Sequence, residues 1–560
     1  MMVEQIDGRP LGDAPDSKST LAVVKDWLGT CQMQHPQCNA LISGGRVDEN
    51  EPIMPAYVVD VGEDGQRPKL LKTKPGIQGP YAALSHVWGN GNFTTQTIKN
   101  NVVQFQKSID LASKESKTLM DAVAITRSLG LPYLWVDSLC IVQDGPGFDA
   151  QCDLMGQIYE NATVTIAAAG APNDHIGCFI PRPKPRLPPV HLITKWGAGQ
   201  KASHVYISVQ TGRLPNAVDR GIWAARGWVL QERILSRRIV YFAGDQVYWE
   251  CLAKTNSEDG TSLNSGNPMR LTYGALDTQL ENKEAEAMRT YSRWSDLQAV
   301  YTQRILSRPE DMLCALAGVK QEIIRKTGGT FLAGHWSDYL QIGLLWQAKY
   351  ARLAIPEKPQ APSWSWASRI GPTFHDPYLY SAQPDEGYSI ASPDVHAQKE
   401  DVHGKTYFGS LTLNGRMKPV VKMEGGLSED ENGEGGLWGD VSTKIHRYSQ
   451  DLSLLSALTD PEEAGTLIGW GSFDQVNLTH VDTDTRSAMA LCVSNNLPPA
   501  REGSPVTETP ELATVTYNVL LLKREDEYDS KNLNYVRIGM GEIISDLWFD
   551  DAEPSTVTLV

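Results

Sequence analysis

The sequence predicts an α/β fold: a three-layer core around a parallel sheet, followed by a helical block and a β-rich C-terminal domain. Three observations carry that expectation. Between Tyr81 and Gly170, short apolar runs alternate with segments of helical periodicity, the βαβαβ pattern of parallel strands joined by crossover helices. From about 275 to 355 the chain reads as mostly helical, with Trp346 and several leucines on apolar faces. Beyond about 370 it becomes rich in Gly, Pro and Asp, and its apolar segments are short enough to be strands.

At 560 residues the chain is too long for one ordinary core. These shifts divide it into 1–80, 81–252, 253–370 and 371–560. A formal net charge of −16 disfavours general electrostatic binding to nucleic acid. Eight irregularly spaced cysteines argue for a reducing compartment and against a disulfide framework. The opening "MMVEQIDGRPLGDAPDSK" lacks the apolar stretch of a secretory signal, and no run of about eighteen apolar residues suggests a membrane span. A soluble, cytoplasmic protein is expected.

Taken in order, residues 20–43 read as a short helix and a loop. There "WLGTCQMQHPQC" brings Cys31, His35 and Cys38 together. These are three plausible metal ligands where a structural zinc site wants four, with no fourth nearby in sequence, so the ordinary reading is a buried helix face carrying thiols. "AYVVDVG" and "PKLLKTK" are two strands around "EDGQ". "YAALSHVW", closed by Gly89, is a buried strand. In "KTLMDAVAITRSLG", Leu119, Ala122, Ile125 and Leu129 recur at helical steps, with Gly130 as the stop. "PYLWVDSLCIVQD" is read as a second strand, "FDAQCDLMGQIYENA" as a helix and "TVTIAAAG" as a third strand. "RGIWAARGWVLQERILSRRIVYF" contains a helix around Arg226 to Ser236, on which Trp228 and Glu232, four apart, share a face. A hairpin around Gly244 and Asp245 follows. Further on, "SEDGTSLNSGN" is a loop, "APSWSWASRIG" an aromatic strand and "SEDENGEGG" an acidic loop. Candidate C-terminal strands are "YFGSLTLNGRM", "TLIGWGSF", "SAMALCV", "YNVLLLKRE", "YVRIGMGEI" and "STVTLV".

Ligands of parallel sheets sit at the carboxyl ends of the strands. Those ends supply Ser85, His86 and Trp88 from the first strand and Asp137, Ser138 and Cys140 from the second. His86, Asp137 and Cys140 are the parts of an acyl-transfer or hydrolytic site. Equally, Asp137 caps backbone amides of the next turn and Cys140 is a small buried thiol. No Gly-x-Gly-x-x-Gly follows the first strand, so a redox dinucleotide site is not supported.

"YAALSHVWG", "YLWVDSLCIVQD", "MGQIYENATVTIAAAG", "GCFIPR" and "RGWVLQERILSRRIVYF…YWEC" together, over roughly 81–252, resemble the heterokaryon incompatibility (HET) domain of filamentous fungi. His86 stands where tyrosine is frequent in that family. The resemblance implies a cytoplasmic fungal protein linked to cell death after fusion of unlike hyphae. It also implies a distant, Toll/interleukin-receptor-like fold, some of whose members cleave NAD with a helix glutamate in a Trp-x-x-x-Glu setting. NAD would then be substrate rather than cofactor. Glu232 would stabilise the oxocarbenium ion, Trp228 or Trp88 would stack on a base, and Arg226 or Arg233 would pair with the diphosphate. Two alternatives stand beside it: a Cys140/His86/Asp137 enzyme, and a non-catalytic module whose Trp/Arg surface binds a second copy or a protein partner. The expected placement of Glu232 is half-buried, paired to an arginine and close to His86 and Asp137.

Overall fold

The structure, a computed structural model, describes residues 11–12, 14–39, 52–89, 95–111, 116–145, 148–182, 190–194, 203–207, 214–260, 283–350, 353–376, 379, 382–391, 393–401, 404–426, 455–461, 467–474, 487–496, 516–525, 534–544 and 548–560. The chain forms two compact units. The first comprises Met1–Gln279 with Cys314–Arg325, the second Leu280–Leu313 with Lys326–Val560.

The first unit is built on an eight-stranded sheet. Its strands are β1 (Tyr57–Asp60), β2 (Lys69–Lys72), β3 (Tyr81–Ser85), β4 (Tyr133–Trp135), β5 (Val164–Ala167), β8 (Arg238–Phe242), β9 (Val247–Cys251) and β10 (Thr255–Ser257). Strands β6 (Val190–Thr194) and β7 (Ser203–Ile207) form a separate hairpin. The helices are α1 (Lys18–Gln34), α2 (Val102–Phe105), α3 (Lys117–Ser128), α4 (Asp137–Cys140), α5 (Phe148–Asn161), α6 (Leu214–Ala217) and α7 (Val229–Leu235).

Spatial order across the sheet is β2-β1-β4-β3-β5-β8-β9-β10. The four central strands are parallel, with Ala82 opposite Leu134 and Val164, and Ala167 opposite Tyr241. Antiparallel pairs close both edges, so the residues before Tyr81 complete the same sheet. Every residue of β3, β5 and β8 is buried, the continuous apolar reading expected of strands covered on both faces.

The helix over 117–128 forms as its periodicity predicts, burying Leu119, Ala122 and Ile125. It stops at Gly130, whose positive φ of 76° suits glycine. Gly130 N–H donates to Arg127 O at 2.9 Å and Leu131 N–H to Thr126 O at 3.1 Å, which satisfies the last carbonyls.

One expected strand is cut short. "PYLWVDSLCIVQD" leaves the sheet at Trp135 and turns into the single turn α4, closed by the Cys140 N–H on the Val136 carbonyl at 2.7 Å, while the Asp137 carboxylate accepts the Ser138 N–H at 2.7 Å.

The second unit joins the helix Lys283–Tyr301 to a ten-stranded, almost wholly antiparallel sheet. All six expected C-terminal segments contribute to that sheet, within the strands Gly404–Gly426, Leu467–Phe473, Ser487–Asn496, Thr516–Arg524, Asn534–Ile544 and Pro554–Leu559. The helical block is shorter than expected. After Thr327, Gly328 and Gly334 take positive φ, and 3-10 turns and two-residue strands replace helix. "APSWSWASRIG" is not a strand but a 3-10 turn at Trp366–Ser368, held by the Ser365 hydroxyl accepting the Ala367 N–H at 3.0 Å. Trp364 and Trp366 are fully buried around it. "SEDENGEGG" lies outside the described residues. Among those residues, no helix is long and apolar enough to cross a membrane.

Candidate functional site

Strands β3 and β5 are neighbours, yet the chain leaves β3 toward β4 on one side and β5 toward β8 on the other. Such a switch opens a crevice at the carboxyl ends of the two strands. Ser85 ends β3 and His86 follows it. Asp137 follows β4, Asp174 follows β5, and α7 presents Glu232 to the same place.

The Ser85 hydroxyl donates to the Glu232 carboxylate and accepts the Trp223 indole N–H at 2.8 Å. His86 lies between two carboxylates, with Nε2 3.2 Å from Asp174 Oδ1 and Nδ1 3.8 Å from Asp137 Oδ1. The Trp88 indole N–H is shared between the two Asp137 oxygens at 3.0 and 3.1 Å. Arg226 donates to the His86 carbonyl, and the Tyr159 hydroxyl to the Leu84 carbonyl at 3.1 Å. Gly89, with φ of 95°, lets the chain after Trp88 pass Asn173, since a Cβ there would meet the Asn173 Cβ at 2.8 Å.

Ser85, His86, Asp174 and Glu232 are buried, while Trp88, Asp137 and Arg226 are half-buried and form the solvent side of the cluster. Burial pushes the Glu232 carboxyl above its usual range, and the opposing pull of Arg226 and the Ser85 hydrogen bond does not cancel it. For His86, burial favours the neutral ring, but Asp174 and then Asp137 outweigh it and the imidazole pKa is raised. Glu232 and His86 therefore both hold their protons more tightly than they would in water.

Of the residues expected at the site, Ser85, His86, Trp88, Asp137, Arg226 and Glu232 do come together. Glu232 is 3% exposed rather than half-buried, and its direct partner is Ser85; Arg226 acts on it through charge. Arg233 is not brought to this cluster. It is a buried structural cation, 2.5 Å from Asp219 and 3.2 Å from Glu250, over the Tyr241 ring, because the next position along α7 points to the other side. Trp228 sits at the start of α7, partly buried against the main core. Cys140 lines a different cleft, of about 400 Å³, with Tyr81, Trp135 and Ile158. Tyr81 is at the opposite end of β3 from Ser85. Burial pushes the Cys140 thiol up to about 12, which is unfavourable for a nucleophilic thiolate.

Asp174, Trp223 and Tyr159 join the site without having been singled out in the sequence. Asp174 had a usable signal, since it lies just past the "AAAG" end of β5.

A parallel-sheet domain with carboxylates, an imidazole and tryptophans gathered at its switch point is an α/β domain with a built polar site. Residues 81–232 match the family model described as Heterokaryon incompatibility protein (HET). The match runs from the first residue of β3 to Glu232. No curated protein and no solved structure matches the chain.

Proposed function

We propose that this heterokaryon incompatibility-type protein cleaves the N-glycosidic bond of NAD, with Glu232 as the carboxylate that stabilises the ribosyl cation. The observation that carries this reading is the convergence of Glu232 with Ser85, His86 and Asp137 at the carboxyl edge of β3 and β5. The central order β4-β3-β5-β8 also follows the neighbour pattern of flavodoxin-like doubly wound sheets, in keeping with the Toll/interleukin-receptor-like reading.

In the reaction the C1′–N bond breaks and its electron pair leaves on the pyridine nitrogen, so nicotinamide departs neutral without acid help. The positive charge on C1′ and O4′ is stabilised by the Glu232 carboxylate, held in place by the Ser85 hydroxyl. Water adds to C1′, and its proton passes to the His86/Asp137 pair. Trp88 stacks on a base and Arg226 pairs with the diphosphate. With Glu232 buried, substrate entry requires Trp88, Asp137 and Arg226 to part.

The test is nicotinamide release from NAD by the purified chain at low and high protein concentration, beside Glu232→Ala and Cys140→Ala. Release lost in the first variant and kept in the second supports the reading. The burial of Glu232 favours one alternative, a non-catalytic module that self-associates. No release at either concentration, with both variants folded, selects that alternative. A biological role in fungal non-self recognition and cell death belongs to this same proposal.

A further inference from the structure

We propose that the first unit contains a structural zinc site formed by Cys31, His35, Cys38 and Cys251. The sequence offers three of these ligands in one short segment and gives no sign of the fourth. The fold supplies it: Cys251, at the end of β9, brings its sulfur to 3.4 Å from His35 Nδ1 across 216 residues. All four donor atoms lie within 4.8 Å of one another. Bonds of about 2.3 Å to sulfur and 2.0 Å to nitrogen give ligand–ligand edges of about 3.5–3.8 Å in a tetrahedron, so modest side-chain adjustment places an ion at the centre.

Backbone structure fixes each ligand. Cys31 is in the last turn of α1, and the His35 N–H caps that helix on the Cys31 carbonyl at 3.1 Å. Cys38 lies in the 3-10 turn Pro36–Asn39, its N–H on the His35 carbonyl at 2.9 Å. Cys251 turns back on itself, its N–H bonded to the Lys254 carbonyl at 2.9 Å.

The donor set and its surroundings select the metal. Three sulfurs and one imidazole suit zinc, and four protein ligands without an open position mark a structural rather than a catalytic site. Three thiolates around a divalent ion leave one negative charge, and Arg238 answers it with Nε 3.2 Å from Cys31 Sγ. The same guanidinium is oriented by Asn39 Oδ1 and the Thr163 carbonyl. A disulfide would use two of the three sulfurs and leave the third thiol and the imidazole without a purpose. Bound metal would fasten α1 and its following turn to β9, the neighbour of β8.

The test uses the full chain purified without chelator. Elemental analysis is expected to find about one zinc per chain, released by a thiol-modifying reagent. Cys251→Ser and His35→Ala are each expected to reduce the bound zinc several-fold. Cys178→Ser, which alters a buried thiol outside the cluster, retains it. His35 is half-buried, so His35→Ala keeps the test valid if Cys251→Ser fails to fold. Cobalt exchanged into the native chain should give thiolate-to-cobalt charge-transfer absorption that His35→Ala alters. A Cys251 disulfide in the unreduced digest, or metal-free protein from zinc-supplemented growth, would overturn the site.

Discussion

The Ser85 hydroxyl donates its hydrogen to Glu232, joining the end of a central strand to a helix 147 residues later, while Trp223 donates to Ser85 from the other side. This chain of hydrogen bonds fixes both the position and the orientation of the carboxylate. A hydrogen bond to a charged group contributes about 1.5–3 kcal/mol, which corresponds to roughly 10- to 100-fold in rate if it is needed in the transition state. Ser85→Ala is therefore expected to lower kcat for nicotinamide release by about that factor. Glu232→Gln, which keeps the shape, should remove activity while leaving the thermal midpoint near or above that of the parent. Equal activity of the parent and Glu232→Gln would exclude the catalytic role.

His86 gives the domain a pH dependence of definite sign. Its folded pKa is raised. Its contribution to stability is therefore complete below about pH 6.5, the unfolded value, and is lost as pH rises through the folded value. Glu232, also raised, acts in the same direction: stability is lost as pH rises from the ordinary carboxyl range through its folded value. Thermal midpoints measured from pH 5 to 9 should fall on the alkaline side, and His86→Gln should flatten that fall above pH 6.5. A parent profile that rises there would contradict the assignment.

Arg233 and Arg226 are expected to separate stability from binding. Arg233→Met leaves Glu250 buried beside Tyr241 without its cation, and breaking such a pair costs about 3–5 kcal/mol. Denaturant unfolding should show that loss, whereas KM for NAD in the surviving folded protein should hardly change. Arg226→Met should do the reverse, raising KM with a smaller effect on unfolding. If Arg233→Met instead raised KM at parental stability, the diphosphate role would return to Arg233.

Gly156 of α5 and Gly318 of the helix Ala317–Thr327 lie against each other, and a Cβ on either would come within 2.6 Å of the other's Cα. Gly318→Ala also crowds Leu235 of the Glu232 helix. Overpacking of this kind costs about 1–3 kcal/mol, and two backbones in contact leave little room to relax. A midpoint unchanged within error would show that the helices can separate freely.

The elements that were legible in the sequence are those whose signals are local. Leu119, Ala122 and Ile125 repeat at helical spacing and Gly130 ends them; β3, β5 and β8 are short, mostly apolar runs. Strand-end logic also brought Ser85, His86 and Asp137 to one edge with Glu232. Residues whose partners are distant were not legible. Arg233 looked like a ligand for anions because Asp219 and Glu250 lie on other elements, and Cys251 looked ordinary because its neighbours lie at the far end of α1. Asp137 reads as part of a strand because a four-residue, one-turn helix has too few residues to show a period.

Residues 314–325 belong to the first unit although the chain on either side belongs to the second. The helix that seats Gly318 on Gly156 is thus encoded downstream of the first stretch of its neighbour. A gene fusion or truncation that cuts once, after residue 279, would separate the HET segment from part of its own interior and bare α5 and α7 to solvent. The portable piece is either the whole chain or a fragment in which residues 314–325 are supplied again.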